Sequence, residues 1–380
     1  MKIGGTLGKW SNESKKAVND VHEAARDFVD GVYRDLDFAF GSLSTCLAAL
    51  DQVRIRLHER EIEHHTTLLR NLLGTHFITR AMIEAVYNYV KPSIKGDPRP
   101  TIYYVRDYRY KSTAEAIDID TFVFPENRTP CIFVHGKGEP ATLDAAYSFY
   151  KKFEVHAKVF ERNEYQNHDL YLVSYDTNLT DEIATKIKLA FLLLFGIVDD
   201  GDSMLFVLAV FWRELEDRAN KTGEYLHRFL NRIADFHKSS KTPSDKMGFA
   251  VTHSLGCFTF ATAAQMVMSE NRNRQAFHQW LCFAAAVPSN GFKQSGDFEL
   301  APLIAGNADG ARQGTSSWYS RMDLVLNIPY ALATGHLALG VTGPLHAKFV
   351  TPMDVTKITL EDHSQAYFKK LESLLQHDVF

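Results

Sequence analysis

Along the first ninety positions, apolar residues recur at three- and four-residue steps. From Val18 to Leu57, the residues Val21, Ala24, Ala25, Phe28, Val32, Leu36 and Phe40 keep this period, with charged residues between them. That is the pattern of amphipathic helices. A second helical run is predicted over about His64 to Tyr89. Between Lys91 and Pro100, Pro92, Gly96, Pro98 and Pro100 break the pattern and predict a linker. Beyond it the period changes. Strands are predicted at Thr101–Arg106, Cys131–Val134, Leu170–Tyr175, Met247–Val251, Trp280–Ala286, Ser316–Tyr319 and Thr356–Leu360. Several are continuous apolar or β-branched runs, as strands buried on both faces are. Helices are predicted between most of them, over about Thr142–Glu161, Arg218–Lys238, Leu255–Asn271 and Ser364–His377. This alternation predicts an α/β fold with a mostly parallel sheet and helices on both faces. The chain thus divides into an N-terminal helical region over 1–97 and an α/β domain over 98–380.

One segment departs from both patterns. Leu189–Val198 and Met204–Trp212 are almost wholly apolar, with Asp199-Asp-Gly-Asp202 between them. They lie in an insertion over about 177–216, after the strand ending at Tyr175 and before the helix expected near Arg218. Each run is about half the length of a membrane span. A helix apolar on all sides must be buried or face lipid. Two readings stay open: a hydrophobic lid or acyl-chain wall, with a membrane contact through 187–212, or a hairpin packed against the N-terminal helices or a second copy. Spacing of the acidic residues at 199–202 fits a turn better than a calcium loop.

Composition narrows the field. The chain has 380 residues, 45% hydrophobic and 23% charged, an ordinary globular balance. The formal net charge is −4, so no basic excess exists to neutralise a phosphate backbone, and nucleic acid is not expected as a partner. Cys46, Cys131, Cys257 and Cys282 lie far apart in apolar settings, which predicts reduced, buried thiols. The cluster His58–His65 lacks the spacing that puts two imidazoles on one helical face, and reads as a solvated charged surface. No apolar core of a secretory signal follows Met1, and no stretch reaches the roughly 20 residues that span a bilayer. A cytoplasmic protein, or one exported without a cleavable signal, is expected.

Three strand ends carry candidate chemistry. Thr252-His253-Ser254-Leu255-Gly256 directly follows a predicted strand and precedes a helix rich in small residues. This is the strand–turn–helix setting of a nucleophile elbow, with Thr252 in place of the usual first glycine. Phe133-Val134-His135-Gly136-Lys137-Gly138 ends an earlier strand. A glycine-rich turn there lets backbone N–H groups approach a carbonyl oxygen that gains charge during acyl transfer. The Lys137 and Leu255 N–H groups are the candidate oxyanion donors, with His135, Gly136 and Gly138 shaping the turn. The third is a pair. Asp323 follows one strand, and His363 follows what reads as the last strand. A serine hydroxyl needs a base to take its proton, and a carboxylate to orient that base. The order Ser254, Asp323, His363 along the chain is that of one hydrolase class.

On these motifs, residues from about Thr101 to Phe380 resemble the α/β-hydrolase superfamily, on its lipase and esterase side. The resemblance implies an eight-stranded type of sheet, a catalytic triad and an oxyanion hole. It implies an enzyme that cleaves carboxylic esters, with a lipid-like substrate suggested by the apolar insertion, through Ser254, Asp323 and His363, and with no metal or organic cofactor. Other residues compete for these roles. His253, inside the elbow, should point its ring away from the hydroxyl. His135 should brace the turn rather than titrate. His336 and His346 are further candidate pocket residues, and Asp297, Asp309 and Asp362 alternative acids. From another class comes a catalytically silent fold used for binding or as a membrane-associated scaffold.

Overall fold

The computed structural model describes residues 80–162, 167–195, 204–242, 246–306, 314–323, 325–359, 362–363 and 366–369. The predicted helices before residue 80, the His58–His65 cluster, Cys46 and the turn at 199–202 lie outside them. The longer helices among the described residues are α1 Arg80–Ile94, α2 Leu143–Ala157, α3 Asp181–Phe195, α4 Met204–Ser239 and α5 Leu255–Glu270. The strands are β1 Thr101–Val105, β2 Ala114–Ile117, β3 Thr129–Val134, β4 His168–Ser174, β5 Phe249–His253, β6 Gln279–Phe283, β7 Thr315–Tyr319 and β8 Val350–Asp354. The chain falls into two compact units.

The larger unit takes in Gly96–Asn178, Leu215–Asp323 and Ala338–Phe380. Its eight strands form one sheet in the order β2-β1-β4-β3-β5-β6-β7-β8. β1 runs antiparallel to both its neighbours, and every other pairing is parallel. Ile132 of β3 stands opposite Tyr171 of β4, and Phe133 opposite Leu172. Successive side chains alternate faces, so Phe133 and Tyr171 point to opposite sides of the sheet. Phe133 packs into Tyr150 and Phe153 of α2, with ring centroids 5.3 Å away in each case. Tyr171 packs on Phe229 of α4 at 5.4 Å. Helices therefore cover both faces, and β5 is buried along its whole length, as its unbroken apolar run requires. Cys131, Cys257 and Cys282 are free and buried.

The chain leaves β3 for β4 on one side, and β5 later joins β3 on the other. Crevices at such reversals, beyond the carboxyl ends of the strands, are where α/β sheets hold ligands. The turn after β3 and the turn after β5 both open there.

Two strand expectations need correction. The last strand is Val350–Asp354, and Thr356–Thr359 is a helical turn. Pro352 argues against a strand when its sequence is read alone. At the edge of a sheet, however, no ladder partner asks for its missing N–H, and β8 pairs only with β7. The second miss is β2, whose Ala-Glu-Ala-Ile is short and half-exposed. It carries little pattern because neither face is fully buried and the run is only four residues long.

The smaller unit takes in Met1–Lys95, Leu179–Glu214 and Leu324–Leu337. Within it, α1 runs on past the expected linker start, through Pro92 to Ile94. A proline in the last turn removes few intrahelical bonds. Lys186 of α3 donates to the Ser93 carbonyl at 3.1 Å, Tyr87 to Glu214 at 3.3 Å, and Trp212 meets Tyr330 edge-on. The second apolar run is no separate element. It is the start of α4, which continues without a break into the amphipathic stretch expected near Arg218. The two runs differ in burial: Phe206–Trp212 are buried, whereas Leu189, Leu192, Leu193, Leu194 and Phe195 are exposed. Among the described residues no helix is long and apolar enough to cross a membrane.

Candidate active site

The site is assembled in the larger unit from three loops at the carboxyl ends of β5, β7 and β8, with the turn after β3 beside them. β5 runs through His253, two residues further than its sequence suggests, and Ser254 follows at once. Ser254 has φ 53° and ψ −123°, a conformation that side chains with a Cβ rarely adopt. Such strain costs about 1–3 kcal/mol and persists only where surrounding structure enforces it. Here the enforcement is visible. The Ser254 N–H donates to the Phe283 carbonyl at 2.9 Å. Its own carbonyl accepts from Cys257 at 3.0 Å and from Ala286 at 3.1 Å.

Close approach explains the small residues around the elbow. A Cβ on Gly256 would stand 2.4 Å from the Val134 carbonyl oxygen and 2.5 Å from that of His135. A Cβ on Gly136 would stand 2.7 Å from the Ser254 Cβ. Each glycine lets the turn after β3 press against the start of α5. Thr252 takes the position where a glycine is usual, and its hydroxyl accepts the buried Trp280 indole N–H at 2.9 Å. That bond accounts for a polar side chain at the end of a buried strand.

His363 joins the other two candidates. Its Nδ1 lies 2.6 Å from Asp323 Oδ2, and its Nε2 lies 2.7 Å from Ser254 Oγ. The carboxylate accepts, so Nδ1 carries the proton and Nε2 is left to accept from the serine hydroxyl. Asp323 and Ser254 are fully buried, and the His363 side chain nearly so. Charge formed on the imidazole is thus met by a carboxylate in a medium where it is weakly screened. Asp297 is exposed, Asp309 lies outside the described residues, and Asp362 is tied through its backbone N–H to Thr359. His336 closes a short turn by donating its N–H to Thr334 Oγ1 at 3.1 Å, and His346 lies at φ 53° in a loop.

His253 and His135 flank the elbow as neutral rings. His253 Nε2 donates to the His363 carbonyl at 2.6 Å, so its ring is engaged away from the serine hydroxyl. Burial pushes it down to about 3, with the nearby His363 ring acting in the same direction. His135 is stacked on Tyr175 with centroids 4.9 Å apart. Its Nδ1 donates to the Gly136 carbonyl at 2.9 Å, and its Nε2 faces the Tyr175 N–H at 3.4 Å. Burial holds it down at about 4. Both rings brace loops in the neutral form.

The turn after β3 brings Lys137 beside the site. Burial lowers its ammonium to about 8, while the Asp323 charge acts in the opposite sense. The peptide between Gly136 and Lys137 is trans, because no peptide bond among the described residues is cis. In a trans peptide the carbonyl and the N–H point opposite ways. With the Gly136 oxygen held by His135 Nδ1 and by Thr177 Oγ1 at 3.0 Å, the Lys137 N–H faces away from those partners. Leu255 N–H is at the first position of α5, where a helix has no internal acceptor for it. Gly138 ends the turn at φ 89°.

Sequence reasoning singled out the serine, the acid, the base and the turn, and all of them sit at one end of the sheet. It missed Thr177, which is one threonine among many in the sequence, 41 residues from the carbonyl it contacts. It also missed the bond from His253 to the His363 backbone, which no local pattern announces.

No family model matches this chain, and a search of curated proteins finds no match.

Proposed function

We propose that this protein is a serine hydrolase that cleaves carboxylic esters through an acyl-enzyme, on a fold of the α/β-hydrolase kind. The observation that carries the reading is His363 bridging Ser254 and Asp323 with bonds of 2.7 and 2.6 Å. In this reading Ser254 Oγ attacks the ester carbonyl as His363 Nε2 takes its proton. The carbonyl electron pair becomes an oxyanion, met by the Lys137 and Leu255 N–H groups. Collapse expels the alcohol, which receives the proton from His363. Water then repeats the cycle on the acyl-enzyme and frees the acid. Asp323 fixes the tautomer and stabilises the charged ring. None of these steps calls for a metal or an organic cofactor.

The fold assignment is supported by the order of parts along the chain. The serine follows β5 on a strained turn, the acid follows β7, the histidine follows β8, and the glycine-rich turn follows β3. A lipid-like acyl group is supported by burial. Ser254 is fully buried, so the acyl group must leave water to reach it, and an apolar chain does so most cheaply. A peripheral lipid contact, where it forms, falls to the exposed residues of 189–195, since 206–212 are buried.

The test is covalent labelling with a fluorophosphonate, with the modified residue mapped by mass spectrometry. Wild-type protein is expected to label at Ser254 and Ser254→Ala to remain unlabelled. Wild-type protein that fails to label, in detergent and with liposomes as well as in buffer, overturns the reading in favour of a silent binding fold.

A further inference from the structure

Thr177 follows β4 by three residues and is almost fully buried, and it makes five contacts to one turn. Its carbonyl accepts the Gly138 N–H at 3.0 Å, and its N–H donates to the Glu139 carbonyl at 2.9 Å. Its hydroxyl accepts the Glu139 N–H at 3.1 Å, and has the Gly136 and Glu139 carbonyls each 3.0 Å away. The Glu139 oxygen is already served by the Thr177 N–H. The Gly136 oxygen likewise has His135 Nδ1 as a donor, and of the two carbonyls only that of Gly136 shares its peptide with an N–H, since Pro140 follows Glu139.

That oxygen matters because it shares a rigid peptide plane with the Lys137 N–H. Whatever fixes one fixes the other. Gly136 in turn lies against the Ser254 Cβ, so a rotation of this plane would swing the N–H relative to the serine. We propose that Thr177 is a positioning residue for the oxyanion hole: its hydroxyl orients the Gly136–Lys137 peptide so that the Lys137 N–H faces the developing oxyanion. This rests on the hydrolase reading. A latch that only closed the loop would be served by the two backbone bonds to Gly138 and Glu139. The hydroxyl adds the contact to the one carbonyl whose plane carries a donor.

The test compares Thr177→Val, which keeps shape and backbone bonds but removes the hydroxyl, with Thr177→Ser, which keeps it. Turnover of a p-nitrophenyl ester is measured beside inhibition by a trifluoromethyl ketone of matching chain length. With the ketone, Ser254 Oγ adds to the carbonyl carbon and its proton passes to His363. The carbonyl electron pair becomes a stable oxyanion. Loss of a whole oxyanion donor costs roughly 100- to 1,000-fold in turnover. A donor left in place but misdirected is expected to cost about 10- to 100-fold on the same scale. Thr177→Val should therefore lose about that much in kcat and in affinity for the ketone, with KM and both limbs of the pH profile unchanged. Thr177→Ser should restore both. If the valine protein does not fold, Thr177→Cys, which puts a weakly donating thiol in place of the serine hydroxyl, carries the same test against Thr177→Ser and should fall below it.

A folded valine or cysteine variant with wild-type kcat and ketone affinity overturns the inference. So does a loss spread equally over the ketone and a non-electrophilic product acid. If wild-type protein neither labels with the fluorophosphonate nor turns over, the hydrolase reading has failed and this inference with it. Labelling that persists beside an indifferent Thr177→Val condemns this inference alone.

Discussion

His253, the residue just before the proposed nucleophile, donates from Nε2 to the backbone carbonyl of His363 at 2.6 Å. The two residues are 110 positions apart in sequence. The bond ties the loop that carries the proposed base to the end of β5. It sits among Phe149, Tyr367 and Phe368, whose rings lie within 6.1 to 6.5 Å of the His253 ring. Replacing His253 by Phe would keep a ring of similar volume and leave the His363 carbonyl without this donor. The expected cost is about 1–3 kcal/mol of stability, together with slower turnover. His253→Gln, whose amide nitrogen reaches a similar point, should recover part of both. Urea midpoints and kcat for the two variants check this. A His253→Phe variant close to wild type beside a weaker His253→Gln would show that ring packing, not the bond, matters there.

Ser254 separates two effects that serine substitutions usually mix. Ser254→Ala and Ser254→Gly both remove the hydroxyl, and both should be inactive. Only alanine keeps a Cβ at φ 53° and ψ −123°. Glycine tolerates that conformation, so Ser254→Gly should be the more stable of the two by about 1 kcal/mol. Thermal melting of the pair measures the strain stored at the elbow. A less stable glycine variant would mean that the backbone is not strained by its side chain.

Thr252 can be tested through Trp280. The buried indole N–H donates to Thr252 Oγ1 at 2.9 Å. Thr252→Val matches the shape and strands that donor, at an expected cost of about 1–3 kcal/mol. Thr252→Ser keeps the acceptor and should cost less than valine does. Chemical denaturation of both variants gives the comparison, and a valine variant as stable as wild type would contradict it.

Acid should unfold the protein earlier than its carboxylates alone would require. His135, His237 and His253 are held neutral by burial, at about 4, about 4 and about 3. Their unfolded values lie near 6.5. Folded values below unfolded ones mean that unfolding takes up protons. The stability they confer is complete above pH 6.5 and is lost as pH falls towards 4. Burial acts oppositely on Glu154, pushed up to about 7, whose contribution is present at low pH and lost as pH rises through 7. Between pH 6 and 5 the three histidines outweigh the glutamate by about two protons, or roughly 3 kcal/mol per pH unit. Urea midpoints at pH 7, 6 and 5 should fall accordingly. His237→Phe, at a buried position near the C-terminus of α4, should flatten the slope by about one proton. A midpoint independent of pH would contradict the burial of these rings.

The legible parts of the chain share a physical cause. β5, the turn at Ser254 and α5 are contiguous, so their pattern is complete within about twenty residues of sequence, where period and turn chemistry are decided locally. The same holds for β3 and its glycine-rich turn. α4 was read too short because an apolar run and an amphipathic run join with no glycine or proline between them. β8 was misplaced because Pro352 is acceptable only on an edge, and whether a strand is an edge depends on what pairs with it. Asp323 and His363 were legible as candidates by position. That they meet Ser254 at hydrogen-bond distance depends on three loops converging.

By itself, then, the sequence determined the alternation of strands and helices, the elbow, the glycine-rich turn and the order serine, aspartate, histidine, because each is written in neighbouring residues. Only the tertiary structure decided which strand closes the sheet. It alone placed Thr177 against the Gly136 carbonyl, His253 against the His363 carbonyl and Thr252 against the Trp280 indole. Those contacts span 28 to 110 residues. They join side chains to partners on other strands and loops, and no periodicity along one segment can encode a partner that only the folded sheet brings near.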